Sequence, residues 1–167
     1  MELHSVKIVA NALHEARVRY IVVGGLAVNV HGYERFTNDL DLVISLEREN
    51  ICKGLHALIS IGYQPSIPIS PEDFANPENR ARWHEEKSML VLKLWSDIHR
   101  RTPIDVFIQE PFDFEAEWNQ VVWKVFDTSE KLPVLAYESL IAMKKEAGRD
   151  KDLMDIRSLR KLDPYRP

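Results

Sequence analysis

The chain has 167 residues, a formal net charge of −4 and a hydrophobic share of 45%. That is enough for one domain with an ordinary core, or one domain with a small helical annex, and the mild acidity excludes a global basic field for nucleic acid. One cysteine, Cys52, excludes an internal disulfide and fits a reducing cytoplasm; no apolar run reaches the length of a membrane span, and Glu2, His4 and Lys7 interrupt any signal sequence.

Residues 3–18 read as a helix, with Leu3, Val6, Val9, Ala10 and Leu13 near a 3.6-residue repeat. The apolar run 20–23 reads as a buried strand. Gly24-Gly25 follows, then a short helix over 26–30 that ends at Gly32. Glycines there allow close backbone approach, and the helix after them offers free N–H groups to a phosphate. After a spacer, Asp39-Leu40-Asp41 opens a second strand that runs to Leu46. Strand side chains alternate, so Asp39 and Asp41 point the same way, about 7 Å apart. Carboxylates held that closely repel unless a cation lies between them. A divalent metal is the usual cation, and Mg²⁺ is commonly held by one or two carboxylates plus substrate phosphates. His31 and Arg35 fall between the helix and the carboxylates, with either a surface-loop or a substrate role.

Residues 47–61 form a second helix with the stripe Ile51, Leu55, Leu58 and Ile59, and Cys52 within it reads as a small buried apolar residue. Four prolines between residues 64 and 79 predict a loop or lid with a helical turn after Pro71. Residues 78–87 carry mixed charge, and His84-Glu85-Glu86 lacks the second histidine of a zinc-protease motif. Strands follow over 88–95 and 103–108. Asp105 lies near the start of the latter, where an unpaired buried carboxylate is costly. Asp97 and Asp113 are weaker rivals because they sit in turns. Residues 111–120 predict a short helix or turn, 121–127 an edge strand and 132–135 an extended piece. Residues 136–147 form a helix with Leu140, Ile141, Met143 and Ala147 inward. The last helix starts at Asp150, with Leu153, Met154, Ile156, Leu159 and Leu162 on its stripe. Lys144, Lys145, Arg149, Lys151, Arg157, Arg160 and Lys161 make this end the best candidate for an RNA or nucleotide contact.

Gly24-Gly25, the spacer and Asp39-Leu40-Asp41, each beside a strand-like run, resemble the signature of the DNA polymerase beta-like nucleotidyltransferase superfamily. The fuller string Gly24-Gly25-Leu26-Ala27-Val28, His31-Gly32, Arg35, Thr37 and Asp39-Leu40-Asp41-Leu42 is similar to its small prokaryotic branch, the AbiEii-type and minimal nucleotidyltransferases of toxin–antitoxin systems. Near the C-terminus, Lys144 followed by Arg149, Lys151, Asp152, Asp155 and Ile156 resembles the AbiEii-type ending. The resemblance implies an α/β (α+β) fold: a small mixed sheet carrying the aspartates at one end, helices mainly on its other face, and C-terminal helices over the cleft. The expected division is a catalytic domain over 1–135 and a helical annex over 136–167.

The resemblance further implies Asp105 as the third carboxylate with Asp39 and Asp41 around Mg²⁺. Gly24, Gly25, Arg35, Thr37, Lys144 and Asp152 join them as nucleotide-binding residues. For Lys144 and Asp152 a plain alternative stands: acids in a first helical turn favour the helix dipole, and the lysine belongs to a solvated face. The implied activity is transfer of an NMP from an NTP to an acceptor hydroxyl on tRNA or another RNA, a protein or a small molecule, with a toxin or antitoxin protein as a plausible partner. The alternative from another class is a binding module that keeps the fold and acts through a protein partner. A metal-dependent phosphohydrolase ranks last, because it has no need of the Gly-Gly turn.

Overall fold

The computed structural model describes residues 1–125 and 131–162. In chain order the elements are α1 (Leu3–Glu15), β1 (Tyr20–Val22), α2 (Gly24–Val30), β2 (Leu40–Ile44), α3 (Arg48–Ser60), β3 (Gln64–Pro65), α4 (Pro71–Ala75), α5 (Pro77–Lys87), β4 (Val91–Trp95), β5 (Ile104–Phe107), α6 (Phe114–Trp118), β6 (Val122–Val125), β7 (Lys131–Val134), α7 (Tyr137–Ala147) and α8 (Asp150–Leu162). The described strands make one sheet in the order β3-β4-β5-β2-β1-β7-β6. It is mixed: β2 runs parallel to β5 and β1 parallel to β7, while the other neighbouring pairs are antiparallel. This is the expected α/β fold.

The sheet buries both faces at its centre. Tyr20, Ile21 and Val22 are all buried, and so are Leu42, Val43 and Ile44. Continuous burial explains why these strands read as apolar runs rather than alternations. The face carrying Ile44 is covered by α3: a Cβ added at Gly54 would stand 3.4 Å from the Ile44 side chain. Helix α1 packs against α3 through its buried stripe Val6, Val9, Ala10 and Leu13. Residues of α7 and α8 instead line the same cavity as Asp41 and Asp105, so the C-terminal helices cover the cleft as expected. Among the described residues, no helix is long and apolar enough to cross a membrane.

Several expectations need correction. The first helix stops at Glu15, because Arg17 adopts φ +54 and turns the chain into β1. Leu3 and Ile59, placed on apolar stripes, are exposed, and Cys52 is only half-buried. The proline-rich stretch is loop over residues 66–70, and the helical turn expected at Pro71 is present as α4. Gln64–Pro65 pairs with β4, and Pro71, Phe74 and Ala75 are buried in α4. Pro71 and Pro77 each open a helix, capped by Ser70 and Asn76, because proline suits the first helical turn. Thus residues 78–87, read only as mixed charge, belong to α5, which buries Arg80 and Trp83. The edge strand after Val121 exists as β6, while Phe126 and Asp127 fall outside the described residues, as do residues 163–167 of the proposed annex.

The largest correction concerns α8. Leu153, Met154 and Leu162 are 41%, 60% and 56% exposed. The buried stripe is Asp152, Asp155, Ile156 and Leu159, an i, i+3, i+4, i+7 pattern in which two members are acids. A hydrophobicity reading assigns acids to the surface and so rotates the helix wrongly. Ala147, expected inward, is exposed at the end of α7, while Lys144 one turn earlier is buried.

Candidate active site

Parallel pairing of β2 with β5 sets Asp41 directly beside Asp105. Asp39 stands just before β2, anchored where Leu40 N–H donates to the Pro103 carbonyl at 2.9 Å. One oxygen from each of Asp39, Asp41 and Asp105 lies within 4.8 Å of the others. The consequence is electrostatic. Burial and the neighbouring charges of Asp39 and Asp105 push the Asp41 carboxyl up to about 6, against a backbone hydrogen bond from Gly25 and the field of Lys151. Two of the cluster's three aspartates disfavour the ionisation of the third.

The two glycines explain themselves by what a side chain would meet. Gly24 has φ +64, and a Cβ there would sit inside the Asp41 carboxylate. At Gly25 a Cβ would collide with the Thr37 hydroxyl and stand 2.7 Å from Thr37 Cβ and 3.3 Å from an Arg35 guanidinium nitrogen. Both glycines belong to the first turn of α2, not to a separate turn before it. The loop after α2 is pinned by Asn29, whose side-chain amide donates to the Arg35 carbonyl at 2.9 Å and accepts from the Arg35 N–H at 3.1 Å. That places Arg35 and Thr37 at the cavity, with Thr37 Oγ1 3.5 Å from Asp39 Oδ1.

The opposite wall comes from α7 and α8. Lys144 Nζ donates to Asp152 Oδ1 at 3.1 Å and to Asp155 Oδ2 at 2.7 Å, with all three residues at most 5% exposed. The Arg35 guanidinium grips Asp155 through two bonds of 2.7 and 2.9 Å. Arg149 Nε reaches Asp152 Oδ2 at 2.6 Å. Burial alone would raise the Asp152 carboxyl, but hydrogen bonds from Arg149 and Lys144 outweigh it and hold the group below its ordinary value. Lys144 therefore does not lie on a solvated face.

Together these walls enclose a cavity of about 260 Å³. Every sequence-predicted site residue lines it: Gly24, Gly25, Arg35, Thr37, Asp39, Asp41, Asp105, Lys144 and Asp152. His31 does not. Its Nε2 meets the Leu135 carbonyl at 2.8 Å and its ring packs on Tyr137. Asp97 pairs with Arg100 and Asp113 caps α6, so neither rival joins the cluster. Two participants carry little signal in the sequence. Asp155 stands in the C-terminal pattern one helical turn from Asp152, but an acid there reads as a surface residue. Lys93, which pairs with Asp105, has no local signal, because a lysine at an alternating strand position reads as solvent-facing.

The donor set fits a hard divalent cation. Three carboxylates converge, and among the described residues no histidine or cysteine lines the cavity, which suits Mg²⁺ rather than a softer metal.

No family model matches the chain, and no curated protein matches it in sequence. Solved structures do match in shape. The lincosamide antibiotic adenylyltransferase LnuA, solved with lincomycin bound, superposes with a TM-score of 0.60 at 14% identity, covering 96% of this chain and 97% of that one. A putative nucleotidyltransferase from Thermotoga maritima gives 0.58 at 17% identity, covering 98% and 93%. An antigenic nucleotidyltransferase-like protein from Paracoccidioides brasiliensis gives 0.55 at 18% identity, covering 96% and 76%. The chain has the fold of these nucleotidyltransferases.

Proposed function

We propose that this protein is a Mg²⁺-dependent nucleotidyltransferase that moves an NMP from an NTP to an acceptor hydroxyl. The single observation that carries the reading is the meeting of Asp39, Asp41 and Asp105, from chain segments far apart in sequence but paired in the sheet, beside Gly24 and Gly25 in one cavity. The likeness in fold to LnuA and the Thermotoga maritima structure supports it.

Asp39, Asp41 and Asp105 would hold the metal. When bound, Mg²⁺ supplies neutralisation of charge on the α-phosphoryl group and the departing pyrophosphate. The chain's own residues do the rest. Gly24 and Gly25 keep side chains out of the place where the triphosphate lies. Arg35, Lys144 and Lys151 bring positive charge to the phosphates, and Thr37 bounds the site. Asp105 accepts the proton of the acceptor hydroxyl on a carboxylate oxygen. The acceptor oxygen then bonds to the α-phosphorus as the bond to the bridging oxygen of pyrophosphate breaks in line. Asp152 orients Lys144 and Arg149.

The acceptor is an RNA, a protein or a small molecule. That LnuA is a lincosamide antibiotic adenylyltransferase makes a small-molecule hydroxyl the first to test. The AbiEii-type ending, whose Lys144, Arg149, Asp152 and Asp155 converge on one network, supports membership of the toxin–antitoxin-related branch, in the cytoplasm and with a cognate toxin or antitoxin as partner. We treat residues 1–135 as the catalytic unit and the helices after it as its annex. A second reading, a nucleotide-fold module acting through a partner, has one observation in its favour: Arg35, Lys144 and Arg149 are each engaged by a carboxylate, leaving less free charge for phosphates.

Calorimetric titration of ATP, GTP, CTP and UTP with Mg²⁺, on wild type and on Asp39→Asn/Asp41→Asn, separates the two. Metal-dependent binding lost in the folded double mutant supports the enzyme. Binding that survives the double mutant, or no binding by wild type, favours the module.

A further inference from the structure

The triad has a fourth member of opposite sign. Register sets Asp41 opposite Asp105 across β2 and β5, and Asp105 opposite Lys93 across β5 and β4. A row therefore runs across the sheet from Asp41, through Asp105, to Lys93, with Gly24 of α2 against its Asp41 end. Lys93 Nζ stands 3.2 and 3.1 Å from the two oxygens of Asp105. Asp105 is nearly buried, while the Lys93 side chain is 64% exposed. The side chain thus lies mostly in water, and its ammonium can leave the carboxylate at little cost.

Both oxygens of a metal-ligand carboxylate facing one ammonium are in competition with a metal. We propose that Lys93 is a positioning residue that occupies Asp105 in the metal-free protein and opposes the entry of a divalent cation. This inference rests on the metal site proposed above. In the free protein Lys93 cancels one of three negative charges, so the triad holds a cation weakly. An NTP adds phosphate oxygens to the ligand set and tips the competition, so that metal and nucleotide load together. Lys93 then returns to solvent at the end of the row away from Gly24.

The test is direct binding of Mn²⁺, a paramagnetic substitute for Mg²⁺, followed by loss of the free aqua-ion resonance in electron paramagnetic resonance, without nucleotide. The set is wild type, Lys93→Arg, Lys93→Met, Lys93→Glu and the control Asp39→Asn/Asp41→Asn. Lys93 is exposed, so its variants fold. The expectation follows charge: Arg within about twofold of wild type, Met roughly threefold to fivefold tighter, Glu tighter still by about tenfold or more. A merely structural cross-strand pair leaves metal affinity unmoved. Equal affinities across the Lys93 series, with the control still losing the metal, overturn the role of Lys93 and leave the metal site standing. No uptake by wild type or by Lys93→Glu overturns both.

Discussion

On one wall of the cavity, Asp39, Asp41 and Asp105 bring three like charges together, partly open to solvent. On the other, Arg35, Lys144, Arg149, Asp152 and Asp155 alternate in sign, and the central lysine and both acids are buried and hydrogen-bonded. The second cluster is complete without a ligand. The first is not: its like charges raise one another's cost, and Lys93 offsets only one of them. The contrast teaches which cluster awaits a cation and which is scaffold. Removing a charge from the acidic wall removes chemistry and spares the fold, whereas removing one from the mixed wall costs stability along with phosphate binding.

The sharpest way to break that contrast is Asp41→Asn. We expect transfer to fall by more than the ~100-fold typical of losing a group behind a metal ligand. The melting temperature should stay level or rise, because a repulsion is removed. A radiolabelled transfer assay beside a thermal melt checks it, and a lower melting temperature with normal transfer would reverse the assignment. Lys144→Met should lower stability as well as nucleotide binding. It leaves two buried carboxylates short of a partner, at a cost of about 3 kcal/mol. Chemical denaturation reads that loss, and an unchanged midpoint would mean the mixed wall is not scaffold. Gly24→Ala should displace the Asp41 carboxylate and strain a left-handed backbone, costing about 1–2 kcal/mol of stability and weakening NTP binding several-fold. Full affinity in a calorimetric titration would deny the close approach.

The smallest effect concerns pH. Asp41 titrates near 6 in the folded, metal-free protein and at an ordinary aspartate value when unfolded. The native state therefore holds the extra proton, and this group's contribution to stability falls as pH rises through that interval. Mg²⁺ should offset the loss, so it should raise the melting temperature more well above pH 6 than near pH 5. Equal shifts in a melting series would show that the ion does not reach Asp41.

Much of the acidic wall could be read in the sequence, because its parts carry short-range signals: a Gly-Gly after an apolar run, an alternating Asp-x-Asp, and an aspartate early in an apolar strand. The mixed wall could not be placed. Asp152 and Asp155 occupy inward positions of α8, and any scale that sends acids outward rotates the helix toward Leu153 and Met154. Helix α5 was invisible for a related reason: its buried side chains are Arg80 and Trp83 in a charged sequence. Lys93 acquires meaning only from the register of β4 against β5, which no local pattern encodes.

That register also bears on how the molecule comes into being. Asp41 and Asp105 meet only after some sixty residues of chain between them have been made and β5 has docked on β2, and Lys144 and Asp155 emerge later still. Non-local parallel pairing is a slow step in folding. A chain that folds as it is made can bring the three aspartates together before Lys144 and Arg149 exist, and the acidic end of the sheet is then uncovered. Early binding of a divalent ion at that stage would act as a folding aid before it could serve any reaction.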